Sequence, residues 1–284
     1  MRSFARLLLF LISFAAGIML YGTDQTDGPR RPRVELPVQG DGKPYRSERT
    51  VPLLPPPSRG DPVIDVEGGR HGGSSVGSAF AMHESGIWLT ARHVVDGCKI
   101  VAVRGRFGWA RVQVVWLHPR ADLAIFRTRG APTHFELSGA PVRQGMEGYA
   151  MGYPQGRPGS VRGLLIGRTQ MRSPELYAGT AATLAWAEAA RAPAIGGSLG
   201  GISGGPVLDE AGNVLGVIVA ELPRRGRFET LAPEVLQEVA MNTQLLPRGR
   251  AAPDSLALDA NNFGRVGDQL RAQFTVAQMG CSGE

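Results

Sequence analysis

The feature that most constrains the fold is a succession of short apolar runs that begins near Gly72. These runs are separated by glycine and proline and recur roughly every 8–15 residues. Short runs between turn residues are typical of all-β domains. The predicted strands cover residues 75–82, 87–91, 100–103, 110–116, 123–127, 148–152, 160–169, 183–186, 206–208, 214–220 and 228–232.

The predicted strands fall into two groups, which separate near residues 130–142. Two such groups favour two antiparallel six-stranded β-barrels, although the spacing alone describes a sandwich equally well. Only residues 233–240 read as a helix, because proline stands near the first position and Val235, Leu236 and Val239 follow. The predicted fold class is therefore all-β, with a short C-terminal helix and an additional apolar helix at the N-terminus.

The N-terminal segment is apolar. Arg2 and Arg6 precede an uncharged run at residues 7–22, which as a helix would be about 24 Å long, short of a ~30 Å hydrocarbon core. This length suits a signal anchor or a cleaved signal peptide, and the poor match to a cleavage site after Leu20 favours the anchor. In both cases the two arginines would stay in the cytoplasm and the rest would be exported. We therefore expect a periplasmic protein held at the inner membrane by residues 1–22.

The rest of the chain divides by composition. Residues 23–70 are rich in proline, glycine and mixed charge, which favours an extended linker, although its second half could equally pack along a domain surface. Residues 71–242 contain the predicted strands. Residues 243–284 are predicted to be a polar, irregular tail with one weakly amphipathic stretch at 266–274.

The charge pattern excludes one class of partner. The net charge is +6, but the basic residues are scattered arginines with no stripe interleaved with aromatic residues, so we expect no nucleic-acid binding. The histidines His71, His83, His118 and His134 show no metal-ligand spacing. The sequence thus predicts no metal and no cofactor, and it does not specify an oligomeric state.

Three segments carry residues suited to nucleophilic catalysis. His93 follows directly on an apolar strand, where a general base facing a cleft would stand. Asp122 opens another apolar strand and needs a partner, because burying an unpaired carboxylate is costly. Ser203 lies in a glycine-rich turn whose backbone N–H groups could converge on one point. Each residue alone has an ordinary structural interpretation, and the combination favours catalysis.

These segments resemble the trypsin-like (chymotrypsin-fold) serine endopeptidases, and most of all the bacterial HtrA/Deg branch. Thr-Ala-Arg-His-Val-Val at 90–95, Asp-Leu-Ala at 122–124 and Gly-Ile-Ser-Gly-Gly-Pro at 201–206 match the three blocks of that family. The resemblance implies that Ser203 is the nucleophile, His93 the general base and Asp122 the residue that orients the imidazole. It also implies an oxyanion hole formed by the N–H groups of Gly201 and Ser203, with help from Gly200.

The sequence departs from the family in two places. Ile202 stands where pancreatic-type enzymes have an aspartate that pairs with a new N-terminus, so we do not expect activation by that route. No PDZ-like sequence follows residue 232. The resemblance implies protein or peptide substrates, and the alternative is a catalytically silent peptide-binding or chaperone-like envelope protein on the same fold. The presence of all three triad residues favours the active enzyme.

The same resemblance predicts a primary specificity pocket. Its floor falls on Gly197, and its opposite wall falls on Val217, Val219 and Glu221. No carboxylate occurs between Arg191 and Ser203, so we expect cleavage after small or medium apolar residues unless Glu221 turns inward.

Two cysteines are present, Cys98 near His93 and Cys281 near the C-terminus. In an oxidising periplasm they could form a disulfide, worth roughly 4–5 kcal/mol in the chain-entropy model. Two separate thiols remain the alternative.

Overall fold

The computed structural model describes residues 52–67, 74–131, 133–194, 196–242 and 256–283. The predicted N-terminal helix and the first part of the predicted linker lie outside these ranges. Within the described ranges, no helix is long and apolar enough to cross a bilayer.

The regular structure of the described residues is mainly β, with fourteen strands and three short α-helices, which confirms the all-β prediction. The elements in chain order are β1 (Val63–Asp65), β2 (Ser75–His83), β3 (Ile87–Thr90), α1 (Arg92–Val95), β4 (Ile100–Gly105), β5 (Gly108–Arg111), β6 (Gln113–Leu117), β7 (Ala124–Arg127), β8 (Glu147–Gly152), β9 (Gly159–Arg172), β10 (Ala181–Ala192), β11 (Pro206–Leu208), β12 (Val214–Leu222), β13 (Arg227–Leu231), α2 (Pro233–Asn242), α3 (Phe263–Ala272) and β14 (Val276–Ser282).

The first sheet carries the histidine and aspartate segments. Its seven strands pair in the order β5-β4-β14-β2-β3-β7-β6. The two edge strands, β5 and β6, are consecutive in the chain and are separated only by Val112, so the sheet curls back on itself. Because β5 and β6 do not pair with each other, this sheet is a half-barrel and not the closed six-stranded barrel that the sequence predicts.

The C-terminal segment differs from the prediction of an irregular tail. That prediction is wrong for α3 and β14, because β14 lies between β2 and β4 and pairs antiparallel with both. Gln278 and Gly280 weaken its apolar pattern. Gln278 is only 6% exposed, and hydrogen bonds to both ends of its amide offset the cost of this burial. The last strand of the chain thus completes the sheet that holds the first half of the site.

The second sheet is a closed barrel. Six of its seven strands pair in the order β9-β10-β13-β12-β11-β8, pairing of β8 with β9 closes the ring, and β1 is attached to β9. Leu184, Trp186, Ile218 and Phe228 belong to one buried apolar cluster of this barrel. Burial of side chains of this size contributes roughly 1.5–3 kcal/mol each. The predicted helix at 233–240 is present as α2, with Leu236 and Val239 buried.

Residues 52–67 pack along the second barrel. β1 pairs in parallel with the end of β9, and the Leu54 N–H donates to the Val142 carbonyl at 2.9 Å. Arg172 on β9 also forms an ion pair with Asp65 on β1. The second half of the predicted linker is therefore an arm on the domain surface, as one of the two sequence interpretations has it.

Candidate active site

The local structure around His93 is a buried strand followed by a single helical turn. All four residues of β3 are buried, and α1 begins two residues after its end. Val94 and Val95 are buried, which fixes the turn against the core. The His93 side chain remains about one quarter exposed, so the imidazole stands at the edge of the first sheet.

Asp122 lies beside this histidine and is 2% exposed. Its Oδ2 is 2.6 Å from His93 Nδ1, and its Oδ1 accepts the His93 backbone N–H at 2.8 Å. Both carboxylate oxygens are therefore bonded to the same residue, which supplies the partner that a buried carboxylate needs. The arrangement assigns the Nδ1 proton to the Asp122 side and leaves Nε2 as the open ring nitrogen.

The pKa of His93 is raised above its usual 6.5. Burial favours the neutral imidazole and would lower this pKa, but the charge of Asp122 and the hydrogen bond to it act in the opposite direction and prevail. The neutral form, which a general base requires, is therefore reached at a higher pH than for a free histidine.

Ser203 lies in the turn that precedes β11, and backbone contacts hold this turn against the first sheet. The Ser203 carbonyl accepts the Ser78 N–H at 2.8 Å, and the Gly204 N–H donates to the Ile218 carbonyl at 2.8 Å. A Cβ on Gly77 would lie 2.4 Å from Val94 Cγ1 and 3.2 Å from the Ser203 carbonyl. Gly77 is thus the point where the turns of His93 and Ser203 come together. Among the contacts of the described residues, none joins the Ser203 hydroxyl to His93 directly.

The turn before Ser203 presents two uncommitted N–H groups. Within the described residues, neither the Gly201 nor the Ser203 N–H donates a hydrogen bond. Gly201 has φ +96°, and a Cβ there would lie 2.7 Å from the Tyr153 carbonyl, so glycine is required. The predicted help from Gly200 is contradicted, because its N–H already donates to Ser198 Oγ at 2.9 Å.

Ser78 is a site residue that the sequence reasoning missed. It is fully buried on β2. Its hydroxyl donates to the Gly201 carbonyl at 2.8 Å and accepts the Tyr153 N–H at 2.9 Å. Ser78 thereby holds the carbonyl side of Gly201 and orients the following turn. The signal in the sequence is weak: Ser78 is the one polar residue within the run 76–82.

Two of the four predicted pocket residues share a cavity. Gly197 and Glu221 line a cavity of about 290 Å³ together with Glu188, Arg191 and Arg227. Val217 and Val219 do not line it, and they are 0% and 3% exposed. The mainly aliphatic wall predicted from the sequence is therefore wrong for this cavity. Both faces of β12 are buried, and alternation along the strand does not reveal which face opens to a cleft.

Each carboxylate in this cavity already has partners. Glu221 accepts from Ser198 Oγ at 2.6 Å and from the Leu199 N–H at 2.7 Å. Glu188 forms a bidentate pair with Arg191, which also donates to the Gly197 carbonyl at 2.7 Å. Glu221 does turn toward the pocket floor, but it is engaged by the segment that leads to Ser203.

A disulfide joins Cys98 to Cys281, with Cα atoms 5.6 Å apart. Cys98 follows α1, and Cys281 lies on β14 opposite Val101 of β4. The bond therefore links the chain just after His93 to the last strand of the same sheet. Among the described residues no three histidine, cysteine, aspartate or glutamate side chains cluster as metal ligands would.

Residues 77–217 match the family model of the trypsin-like peptidase domain. This segment is a trypsin-like peptidase domain. The match includes His93, Asp122 and Ser203, together with Ser78 and Gly201.

Individual relatives of this peptidase domain are distant. The chain is 28% identical over 178 residues to the uncharacterized protein y4bJ of Sinorhizobium fredii; the alignment covers 62% of this chain and 26% of that protein. The chain thus spans about a quarter of the length of the curated relative that it matches.

Solved structures that resemble the domain have similarly low sequence identity to it. The Rv3671c protease of Mycobacterium tuberculosis, in an inactive form, has a TM-score of 0.48 and 22% identity, over 60% of this chain and 88% of that one. The HtrA-type protease AlgW with a decapeptide has a TM-score of 0.47 and 25% identity, over 58% and 50%. The family assignment rests on the family model and not on these scores.

Proposed function

We propose that the protein is a serine endopeptidase in which Ser203, His93 and Asp122 act together. The observation that carries the proposal is the double contact of Asp122 with His93, at 2.6 and 2.8 Å, beside the glycine turn of Ser203. Such a contact selects one imidazole tautomer and directs its other nitrogen toward the nucleophile.

The proposed reaction proceeds through an acyl-enzyme. Ser203 Oγ attacks the carbonyl carbon of the scissile bond while His93 Nε2 takes the hydroxyl proton. The tetrahedral intermediate collapses when His93 gives that proton to the leaving amine. Water then attacks the Ser203 ester while His93 Nε2 takes its proton, and His93 gives that proton to Ser203 Oγ as the C–O bond breaks and the acid product leaves. Asp122 keeps its charge throughout and stabilises the imidazolium.

The oxyanion of each tetrahedral intermediate would be bound by the Gly201 and Ser203 N–H groups. Both are uncommitted within the described residues, which supports this assignment. Ile202 between them is 2% exposed and packs in the apolar cluster of the second barrel. The turn is therefore held by hydrophobic packing, and we propose that no ion pair with a new N-terminus is required for activity.

Proteins or peptides are the proposed substrates, and the cavity at Gly197 is the proposed site for the residue before the scissile bond. The two carboxylates that line this cavity, Glu188 and Glu221, are matched by two guanidinium groups, Arg191 and Arg227, so an incoming arginine or lysine would enter a cavity without net negative charge. We therefore propose a preference for uncharged residues of small or medium size at this position.

We further propose that the protease domain is exported and works on the periplasmic side of the inner membrane. The proposal rests on the apolar run at residues 7–22 behind two arginines. Cell fractionation combined with N-terminal sequencing tests it. A chain recovered intact from the cytoplasmic fraction would contradict export.

A fluorophosphonate probe tests the activity most directly, because only an activated serine reacts with it efficiently. Wild-type protein should be labelled, and Ser203→Ala should not. Ser85→Ala is the matched control, since Ser85 is exposed and its Oγ lies 2.8 Å from His83 Nδ1, a serine–histidine pair outside the site. Labelling that survives Ser203→Ala, or that is lost in Ser85→Ala, would contradict the proposal.

The second candidate is a catalytically silent peptide-binding protein. One observation favours it: no hydrogen bond joins the Ser203 hydroxyl to His93 among the described residues. Such bonds are often long in unliganded enzymes and tighten when substrate binds. Peptide binding by wild-type protein without labelling or turnover would select this candidate.

A further inference from the structure

A second cavity lies beside the oxyanion turn (Gly201–Ser203) and differs in character from the cavity at Gly197. Its volume is about 600 Å³, and it lies between the β4–β5 turn of the first sheet, the segment at 153–158 and helix α3. The residues that define its chemistry are Arg104, Arg106, Tyr153, Asp268, Arg271 and Phe274. The two cavities share no residue.

The charge of this cavity is strongly positive. Three arginines line it, and Asp268 is the only acidic residue among its lining residues. Asp268 is itself 70% exposed and is paired with Arg271. The cavity therefore has a formal excess of two positive charges, and an incoming carboxylate would find cations whose only acidic neighbour faces the solvent.

Arg271 gives the cavity a fixed cation. It is 5% exposed, and its guanidinium is held by the Gly159 carbonyl at 2.8 Å and by Asp268 Oδ1 at 2.7 Å. Its Nε is buried and has no hydrogen-bond partner within the described residues. Because this Nε is inaccessible, Arg271 contributes its fixed position and its positive charge to the cavity, and not a free donor.

Tyr153 adds a neutral donor between the arginines. Burial raises the pKa of its hydroxyl, while the charges of Arg271 and Arg104 act to lower it, so the phenol stays protonated within the field of both cations. Among the described residues this hydroxyl has no hydrogen-bond partner. A phenol O–H beside two guanidinium groups suits a carboxylate oxygen.

The cavity adjoins the reacting centre. A Cβ on Gly201 would lie 2.7 Å from the Tyr153 carbonyl and 3.4 Å from the Gly156 nitrogen, so the segment that lines the cavity also contacts the oxyanion turn. The residue before the scissile bond is assigned to the cavity at Gly197. Because the arginine-lined cavity shares no residue with the cavity at Gly197 and adjoins Gly201 through a different segment, it is available to the residues on the other side of the scissile bond.

We propose, on the basis of the peptidase function proposed above, that this cavity is a subsite for carboxylates on the leaving-group side of the substrate. Arg104, Arg106, Arg271 and the Tyr153 hydroxyl would select aspartate or glutamate after the scissile bond, or the free C-terminus of a short substrate. An acidic side chain and a free C-terminus would each present a carboxylate group to these residues.

Fluorogenic peptides with a constant sequence before the scissile bond test the proposal. Each of the four positions after the bond carries Asp or Glu in one set and Asn or Gln in the other, and a third set compares a free C-terminus with an amide. We expect kcat/KM for the best acidic peptide to exceed that of its neutral isostere by roughly fivefold or more at low salt, falling toward unity at high salt.

Substitutions in the cavity test whether its residues cause the preference for acidic peptides. The double variant Arg104→Ala/Arg106→Ala should bring acidic and neutral peptides within about twofold of each other, and Tyr153→Phe should reduce the preference in part. Arg59→Ala, at an exposed arginine outside the cavity, is the charge-matched control and should retain the full preference. Equal cleavage of acidic and neutral peptides by wild-type protein would overturn the proposal, as would an equal loss of preference in Arg59→Ala.

Failure of this inference can be distinguished from failure of the proposed activity. Each variant is first labelled with the fluorophosphonate probe, and normal labelling with no acidic preference rejects the subsite alone. If wild-type protein is neither labelled nor active, the same peptides are measured by fluorescence anisotropy on Ser203→Ala. Tighter binding of the acidic peptides would then support the subsite without the enzyme, and equal binding would reject it.

Discussion

Breaking the Cys98–Cys281 bond should destabilise the domain by several kcal/mol. The cysteines are 183 residues apart in the sequence, and cross-linking a loop of that length lowers the entropy of the unfolded chain by an amount worth about 5 kcal/mol in the chain-entropy model. Measured values usually fall below that model, so we expect 2–5 kcal/mol. This is a large share of the 5–15 kcal/mol by which domains are generally stable.

The loss should be concentrated in the first sheet. β14 is hydrogen-bonded to β2 on one side and to β4 on the other, and Cys281 lies near its end. Without the bond, this strand is held only by its ladders and by the packing of residues such as Met279. We therefore expect the amides of Val276–Ser282 to exchange faster, and those of the closed second barrel to change less.

Urea unfolding of oxidised protein, reduced protein and Cys98→Ser/Cys281→Ser gives the magnitude. Reduction tests the bond without changing a side chain, and the double variant tests it without a reductant. Maleimide should label neither cysteine in unreduced, denatured wild-type protein. A loss below about 1 kcal/mol in both comparisons, or uniform acceleration of exchange in both sheets, would refute the argument.

Asp122→Asn should lower kcat about 10⁴-fold through the wrong imidazole tautomer, measured by steady-state kinetics with unchanged circular dichroism as control. The pH profile of kcat/KM should rise with a midpoint above 6.5, because His93 has a raised pKa and must lose its proton before it can act as a base. NMR titration of His93 in the Ser203→Ala variant measures this pKa directly. Adding Asp122→Asn to that variant should lower the pKa of His93, because burial of the imidazole then acts without the charge of Asp122. Gly77→Ala should reduce activity by forcing Val94 and Ser203 apart, and Gly139→Ala, where an added Cβ meets nothing within 4 Å, is the control. Burial raises the pKa of Glu229 to about 7 although its Thr169 hydrogen bond acts to lower it, so the folded state retains a proton that the unfolded chain releases above about 4.5. The free energy of unfolding should therefore decrease as the pH rises from about 4.5 to about 7. In Glu229→Gln, urea unfolding should no longer show this pH dependence.

The sequence is most informative where local pattern and packing agree. The strand before His93 is apolar on both faces and buried on both, so its end and the following turn are predictable from composition alone. The glycines around Ser203 mark a turn that other residues could not adopt, as the φ of +84° at Gly204 illustrates. These constraints are local, and a single sequence expresses them.

The features that could not be predicted depend on partners distant in the chain. β14 has a weak strand pattern and becomes a central strand only because β2 and β4 leave a position for it. Ser78 acquires its role from Gly201, which is 123 residues away. Val217 and Val219 are apolar like a pocket wall, yet they pack in the buried core. Alternation identifies the two faces of a strand, but the neighbouring elements decide which face is open.

The late position of β14 has a consequence for how the site forms. Gln278 on this strand accepts from Arg104 at 3.4 Å and donates to the Gly156 carbonyl at 3.2 Å, so it connects the first sheet to the segment that contacts Gly201. The sheet that carries His93 and Asp122 is incomplete until the last residues of the chain have paired. Contacts at such long separation slow folding, because the entropy of closing the loop is lost before the contacts form. The strands on both sides of β14 are therefore exposed as edges until it arrives, and the disulfide then fixes it in place beside the turn of His93.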